Sequence, residues 1–160
     1  MSAGDVQLKR VDRYTVIDDN ASLSNGARAA GDFDNSIGAN GDGAEFCTVY
    51  LQLQYDGGPP SAGTIVGELW VLPGDGEGSE QFPDGGDAGL GTDDDPQDVF
   101  NVGSFQSINP STSVNEILSL PYVPLHPDGN RFVFKNTSGQ TIDSTWQLDI
   151  VPFRRTVAQS

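Results

Sequence analysis

Residues 45–55 read EFCTVYLQLQY, and this stretch decides the fold class because its side chains alternate in character. Every second position is apolar, at Cys47, Val49, Leu51, Leu53 and Tyr55, whereas Thr48, Gln52 and Gln54 form a polar set between them. A period of two is typical of an antiparallel strand with one face in the core and one in water. Cys47, the only cysteine, is predicted to be a small apolar core residue, because no histidine or basic residue lies close in sequence to activate its thiol.

The same alternation recurs along the chain and predicts an all-β protein. We predict strands over residues 6–16, 45–55, 64–72, 99–108, 114–125, 130–135 and 141–157, the last broken near Pro152, with a further edge strand in 27–33. The turn sequence NTSG at 136–139 predicts a hairpin between 132–135 and 141–146. Seven or eight such strands favour an antiparallel two-sheet β-sandwich, and the pattern leaves jelly-roll-like and immunoglobulin-like topologies open.

The length of 160 residues fits one domain, residues 1–160, with an extended N-terminal arm at about 1–20 and an insertion at 73–98. The insertion holds seven glycines, nine acidic residues and no base, and only Phe82 and Leu90 could anchor it. It is therefore predicted to be a long, exposed acidic loop. The N-terminus lacks the order of a signal peptide, and no apolar run has the length of a membrane span, so we expect a soluble protein made in a cytoplasm.

Charge is distributed unevenly along the chain, whose net charge is −15. Every lysine and arginine lies at or before Arg28 or at or after Arg131, and residues 29–130 hold 17 acidic residues and no base. Such a middle repels phosphate, so we expect no nucleic-acid binding by the main body. Two interpretations remain open. The charge is an adaptation to salty surroundings, or the basic ends dock on an anionic partner while the acidic middle faces water.

Acidic clusters make calcium the one metal worth testing, since calcium takes several carboxylate and carbonyl oxygens. The cluster in the insertion comprises Asp93, Asp94, Asp95 and Asp98, of which Asp93, Asp95 and Asp98 are the weak calcium candidates; a second cluster is Asp32, Asp34 and Asn35. The second cluster lacks the calcium-binding helix-loop-helix pattern, with Ile37 where glycine is required and Gly43 where the bidentate glutamate should be. We expect solvated acidic loops and no cofactor.

Catalytic and sugar-binding candidates are sparse. His126, the only histidine, lies between prolines in PLHP at 124–127, and Glu68 and Trp70 share one strand face without a second acid placed by any motif. No nucleophile, zinc or phosphate-loop motif occurs, so we expect no enzymatic activity. A lectin site would draw on Tyr50, Tyr55, Trp70, Tyr122 and Trp146, most of which alternate in phase with aliphatic residues and are predicted to be core.

Two stretches resemble the small β-sandwich structural proteins of tailed-phage virions. The first runs from ASLSNGAR at 21–28 through Asp34 and Asn35 to VYLQL at 49–53. The second comprises LHP at 125–127, FVFKNTSGQ at 132–140 and WQLDIVP at 146–152. The resemblance implies a virion structural protein, foremost a capsid decoration or cement protein that binds the outer surface of the head and stabilises subunit joints. Alternatives are a tail or head-fibre component, or a carbohydrate-binding β-sandwich module.

The resemblance also implies partners and an orientation. The expected partners are the major capsid protein and neighbouring copies of the chain itself, with a trimer as the expected oligomer, on the capsid exterior after synthesis in the host cytoplasm. Residues 6–19 and the C-terminal arginines are predicted to face the shell, and residues 73–98 to face outward. The predicted partner-binding residues are Lys9, Arg10, Arg13, Arg154 and Arg155.

Overall fold

The strands follow the alternating segments closely. The computed structural model describes residues 6–18, 20–74 and 95–157. The strands are β1 (Val6–Arg10), β2 (Tyr14–Ile17), β3 (Arg28–Asp34), β4 (Phe46–Leu53), β5 (Tyr55–Asp56), β6 (Ile65–Pro73), β7 (Asn101–Gln106), β8 (Glu116–Pro124), β9 (Gly129–Asn136), β10 (Thr141–Ile142) and β11 (Gln147–Val157). In this part of the chain the helical structure is one 3₁₀ turn, Asp98–Phe100, and no helix is long and apolar enough to cross a membrane.

Two main antiparallel sheets form the sandwich. The first sheet has the order β1-β11-β4-β8, with β2 beside β1 on the same flank of β11, and the second sheet has the order β3-β9-β6-β7. A small third sheet joins β5 and β10. Four antiparallel pairs, β2–β11, β3–β9, β4–β8 and β6–β7, join the first half of the chain to the second and belong alternately to the first and the second sheet. This is the jelly-roll arrangement. The predicted two-sheet sandwich is confirmed, and the strand order selects the jelly roll.

The core lies between the inner faces of the two sheets. In β4 the predicted apolar set is buried, and Cys47, Val49, Leu51 and Leu53 are fully inaccessible to solvent. From the second sheet Phe134 packs on Trp146, with ring centroids 5.3 Å apart. Burial raises the pKa of the Cys47 thiol to about 12, so this cysteine is an inert core residue.

A second apolar cluster covers the outer face of the second sheet. Trp70, Leu72 and Val133 lie there out of phase with the main core, and Phe100 packs against them. Asp95 is bound over the same face by Arg28 and Lys135. The described C-terminal end of the predicted acidic loop, residues 95–100, is therefore attached to the second sheet, while residues 75–94, which include Phe82 and Leu90, lie outside the described residues.

Three local predictions need correction, and the first two concern where a strand is interrupted. The strand predicted over 6–16 is two strands, and β1 and β2 both pair with β11, so the described part of the predicted N-terminal arm belongs to the first sheet. β11 continues through Pro152 to Val157. The carbonyl of Pro152 accepts a 2.8 Å hydrogen bond from the Val11 amide, so its peptide group faces the break between β1 and β2. Its missing N–H therefore costs no ladder bond to β4.

The third correction concerns residues 136–139. β9 pairs with β3 and β6, and β10 pairs with β5, so these residues cross between sheets instead of turning a hairpin. Buried Asn136 organises the crossing. Its Nδ2 donates to the carbonyls of Leu23 (2.8 Å) and Gln140 (2.7 Å), and its Oδ1 accepts from the amide and hydroxyl of Ser138. A side chain that satisfies three backbone groups replaces the hairpin ladder.

Candidate functional site

A row of aromatic side chains crosses the outer face of the first sheet. Phe46 on β4 stacks on Phe153 of β11, with ring centroids 5.4 Å apart, and lies 5.7 Å from the Tyr122 ring on β8. Phe46 and Phe153 are directly opposite each other in the strand register. Tyr122 is 76% exposed, and its backbone adopts φ +57° at a bulge in β8. The row therefore presents aromatic surface to solvent.

β1 extends this aromatic row into an apolar patch. Val6 pairs with Val157, and Arg10 pairs with Phe153, so the side chains of Val6, Leu8 and Val157 lie on the same face as the row. These three are 64%, 60% and 62% exposed. We call Val6, Leu8, Phe46, Tyr122, Phe153 and Val157 the outer patch. Contiguous exposed apolar surface of this kind marks sites of interaction with other macromolecules.

Both chain ends that were predicted to face a partner meet at the outer patch. Lys9 lies opposite Arg154, and Leu8 lies opposite Arg155, because β1 and the end of β11 are neighbours. Within the described part of the chain, Lys9 and Arg10 are the two basic residues that form no ion pair. Arg10 therefore borders the outer patch on its own face, and Lys9 lies at the same sheet edge on the opposite face.

Arg155 is held at the rim of the patch by an acid. Its Nε donates to Glu45 Oε2 at 2.7 Å. This hydrogen bond is the main cause that lowers the pKa of the Glu45 carboxyl and raises the pKa of the Arg155 guanidinium. Both groups are exposed, so water screens the pair and it contributes little stability. Arg155 is paired but still accessible to a partner.

Arg13 is bound to its own sheet. Its Nε donates to Asp149 Oδ2 at 2.7 Å, and its guanidinium lies over the Tyr50 ring, 5.3 Å from the centroid. Asp149 is only 2% exposed and also accepts a 2.9 Å hydrogen bond from Gln147. The strand break at residues 11–13 brings Arg13 over this face. Arg13 neutralises a buried carboxylate, which gives it a structural role whatever else it contacts.

A groove runs beside the break between β1 and β2. Two adjoining cavities of about 460 and 280 Å³ lie between residues 9–14 and the loop at 38–42, and both contain Val11, Asp12 and Asp42. Arg154 lines the smaller cavity and donates to both the backbone and the side chain of Asp42. The groove thus gathers Lys9, Arg10, Arg13 and Arg154, four of the five predicted partner-binding residues.

Ion pairs connect the basic ends to the acidic middle. Arg28 (Nε, 2.7 Å) and Lys135 (2.9 Å) both bind Asp95, and Arg131 binds Asp32 at 2.7 Å. Arg154 and Arg155 bind Asp42 and Glu45. Five of the eight basic residues therefore pair with acids from residues 29–130. The separation of charge seen along the sequence is therefore partly cancelled in the folded protein. Among the described basic residues, Lys9 and Arg10 are left without an ion pair.

The calcium candidates do not converge in the described residues. Both carboxylate oxygens of Asp95 are taken by Arg28 and Lys135; partial burial alone would raise its pKa, but these hydrogen bonds outweigh burial and lower it. Asp98 begins the 3₁₀ turn, and Asp93 lies outside the described residues. In residues 6–18, 20–74 and 95–157 no group of three or more potential ligands is placed to hold a metal ion.

The second acidic cluster shapes a loop. Asp34 Oδ1 accepts a 2.9 Å hydrogen bond from the Ser36 amide. Asn35 is fully buried, with its Nδ2 donating to the carbonyls of Ala44 and His126 and its Oδ1 accepting from the Ala44 amide. These contacts fix the loop that forms one wall of the groove. Asp32 is engaged by Arg131 on the second sheet.

The catalytic and sugar-binding candidates lie apart. The backbone of His126 is held by Asn35 and Asn130, and Glu68 lies across the strands from Lys135 and Ser104. Of the five aromatic residues considered for a lectin site, Tyr55, Trp70 and Trp146 are buried and Tyr50 lies under Arg13. Tyr122 alone of these five is an exposed ring, and it belongs to the outer patch.

Reasoning from the sequence missed the aromatic row. Phe46 and Phe153 occupy the polar phase of their strands, in step with Thr48 and Asp149. An aromatic residue in the solvent-facing phase of an alternating strand was the signal that could have located the patch.

No protein-family model matches the chain, and no curated protein is significantly similar to it in sequence.

Proposed function

We propose that this protein is a structural component of a tailed-phage particle, and specifically a capsid decoration or cement protein that binds the outer surface of the head. The observation that carries the proposal is the outer patch, where the two chain ends predicted to face the shell lie side by side. The resemblance of residues 21–28, 34–35 and 49–53, and of residues 125–127, 132–140 and 146–152, to virion β-sandwich proteins supports the same class. The jelly roll is also a fold that viral capsid proteins use.

The outer patch has the composition of a protein-binding surface. Aromatic side chains are enriched in interface cores, and a polar rim usually surrounds them. Here Tyr122, Phe46 and Phe153 form the aromatic centre, and Arg10 and the Arg155–Glu45 pair form the rim. In this proposal the aromatic centre supplies the binding energy and the rim sets the orientation on the shell.

The proposed orientation follows from the two-sheet architecture. The outer patch lies on the outer face of the first sheet, and Asp95 is bound over the outer face of the second sheet. If the first sheet contacts the shell, the described end of the acidic segment lies on the far side of the sandwich. Many copies on a symmetric shell would each contribute a modest interface, and the repetition would stabilise the head by multivalency.

Rebinding to particles tests the proposal. Phage heads from the source culture are stripped of the protein and titrated with labelled wild type, Tyr122→Ala or the matched control Ile108→Ala. Ile108 has the same 76% exposure but lies in the loop between β7 and β8. We expect Tyr122→Ala to weaken binding about 30-fold, the effect of losing an aromatic hot spot, and Ile108→Ala to leave it unchanged. No binding to heads by the wild-type protein would refute the function.

A further inference from the structure

β1 is an edge strand with an open side. Among the described residues it pairs with β11 alone. The Val11 amide bonds to Pro152, and in the same register Lys9 and Gln7 direct their peptide groups at β11. Peptide groups alternate in direction along a strand, so those of Val6, Leu8 and Arg10 point away from the sheet. Three residues thus offer amide donors and carbonyl acceptors to an incoming strand.

The side chains of β1 divide between two faces. Val6, Leu8 and Arg10 lie on the face of the outer patch, and Gln7 and Lys9 lie on the opposite face. An incoming strand would place alternate side chains beside these two sets. Apolar side chains would extend the outer patch next to Val6 and Leu8. Carboxylates would neutralise Arg10 on one face and Lys9 on the other.

We propose that β1 binds an extended acidic segment of a partner protein by adding it as an antiparallel strand. This inference rests on the proposed function and specifies the shell contact. Opposite Arg10, Lys9, Leu8, Gln7 and Val6 in turn, the segment carries the pattern acidic, acidic, apolar, polar, apolar. The order follows from antiparallel pairing and from the two uncompensated charges. Backbone bonds supply affinity, and the side-chain pattern supplies specificity.

The positive charges of β1 favour an acidic partner segment over β1 of a second copy of the chain. Pairing β1 with β1 of another copy would bring two lysines and two arginines without ion pairs into one short edge, and like charges on edge strands oppose such pairing. The net charge of −15 adds little repulsion at the edge in physiological salt, because charges more than about 8 Å away are largely screened. Asp12 and Asp42 line the same cavity as Lys9 and Arg10, but Asp42 is paired with Arg154, so the described charges at this edge keep an excess of one positive charge.

Peptide binding to the full-length protein tests this inference. The probe is a fluorescein-labelled peptide GDDVTVG, with GKKVTVG as the matched control, measured by fluorescence anisotropy at low and physiological salt. We expect saturable binding of the acidic peptide and at least tenfold weaker binding of the basic one. Leu8→Pro removes an amide that points at the free edge and no bond to β11, so it should abolish binding, whereas Leu8→Thr should retain it.

A charge-reversed variant tests the inference even if Leu8→Pro disturbs the fold. Lys9→Glu/Arg10→Glu should bind GKKVTVG and lose GDDVTVG. The inference is overturned if the acidic peptide shows no saturable binding up to about 1 mM, if both peptides bind the wild type equally, or if the protein dimerises through β1 without peptide. If peptide binding fails while head binding still depends on Tyr122, only the strand addition is wrong. If head binding fails, the proposed function is wrong.

Discussion

Replacement of Arg13 by methionine should destabilise the protein because it leaves a carboxylate buried without its counter-ion. Asp149 is 2% exposed and would keep one hydrogen bond, from Gln147 at 2.9 Å, while its Oδ1 has no partner in the described structure. Removing one member of a buried pair costs about 3–5 kcal/mol. The Arg13 side chain is 47% exposed, so water reaches the site, and we reduce this figure to about 2 kcal/mol.

A further contribution comes from the contact of Arg13 with the Tyr50 ring, at 5.3 Å from the centroid. An exposed cation–π contact is worth about 0.5–1 kcal/mol, so the total loss is about 2–3 kcal/mol. For a domain of this size that loss lowers the melting temperature by about 5–10 °C. Urea unfolding followed by tryptophan fluorescence reports it, because Trp70 and Trp146 are both buried in the native protein.

The double variant Arg13→Met/Asp149→Asn supplies the control. Removing the charge together with its partner should recover at least half of the stability lost in Arg13→Met, because no uncompensated carboxylate is left. An Arg13→Met variant that loses less than about 0.5 kcal/mol would contradict this reasoning, as would a double variant no more stable than the single one. The same measurement shows how far any loss of head binding on changing Arg13 reflects unfolding.

Three further predictions concern the ion pairs of Asp95, the Cys47 thiol and the crossing between sheets at Asn136. Asp95→Asn should lower the urea midpoint at pH 7. Because the native pKa of Asp95 is depressed, its contribution to stability holds above the unfolded value near 4 and is lost as the pH falls through the native value. The difference between wild type and variant should therefore shrink as the pH falls below about 4. Cys47, with a pKa of about 12, should not react with a thiol reagent at pH 8 until urea unfolds the protein. Asn136→Ala should cost about 2–4 kcal/mol in chemical denaturation, because its fully buried side chain makes four hydrogen bonds.

Each of these has a clear contrary result. A constant difference in midpoint between wild type and Asp95→Asn from pH 7 to pH 3 would show that Asp95 does not stabilise the protein through its charge. Stoichiometric labelling of native Cys47 would mean that β4 is not at the centre of a packed core. An Asn136→Ala variant within about 0.5 kcal/mol of wild type would remove the amide as the organiser of the crossing.

The strands could be predicted from the sequence because alternation is a local property. In β4, buried and partly exposed side chains alternate along the sequence, so about ten consecutive residues are enough to recognise the strand. The choice of jelly roll could not be made in this way, since it depends on β2 pairing with β11 and β3 pairing with β9 across most of the chain. The crossing after β9 was misread because NTSG has the composition of a turn, while Asn136 binds residues from other elements.

The sequence shows which segments carry basic residues, but not what surrounds those residues in the folded protein. Like charges near the chain ends drew attention to residues 6–10 and 154–155, which lie side by side in the fold, but their ion-pair partners are distant in sequence, as with Arg154 and Asp42. Net charge along the sequence therefore overstated the polarity of the folded protein. The outer patch depends on the register of β1, β11, β4 and β8, which no local pattern contains.

The composition of purified phage particles is the direct test of the proposed decoration role. Particles from the source culture are separated on a density gradient, and this chain is quantified by mass spectrometry against the most abundant shell protein. We expect co-purification at a ratio near one copy per shell subunit. A trace ratio would contradict the decoration role and place the protein in the tail or a fibre, and absence from the particle would contradict the virion assignment altogether.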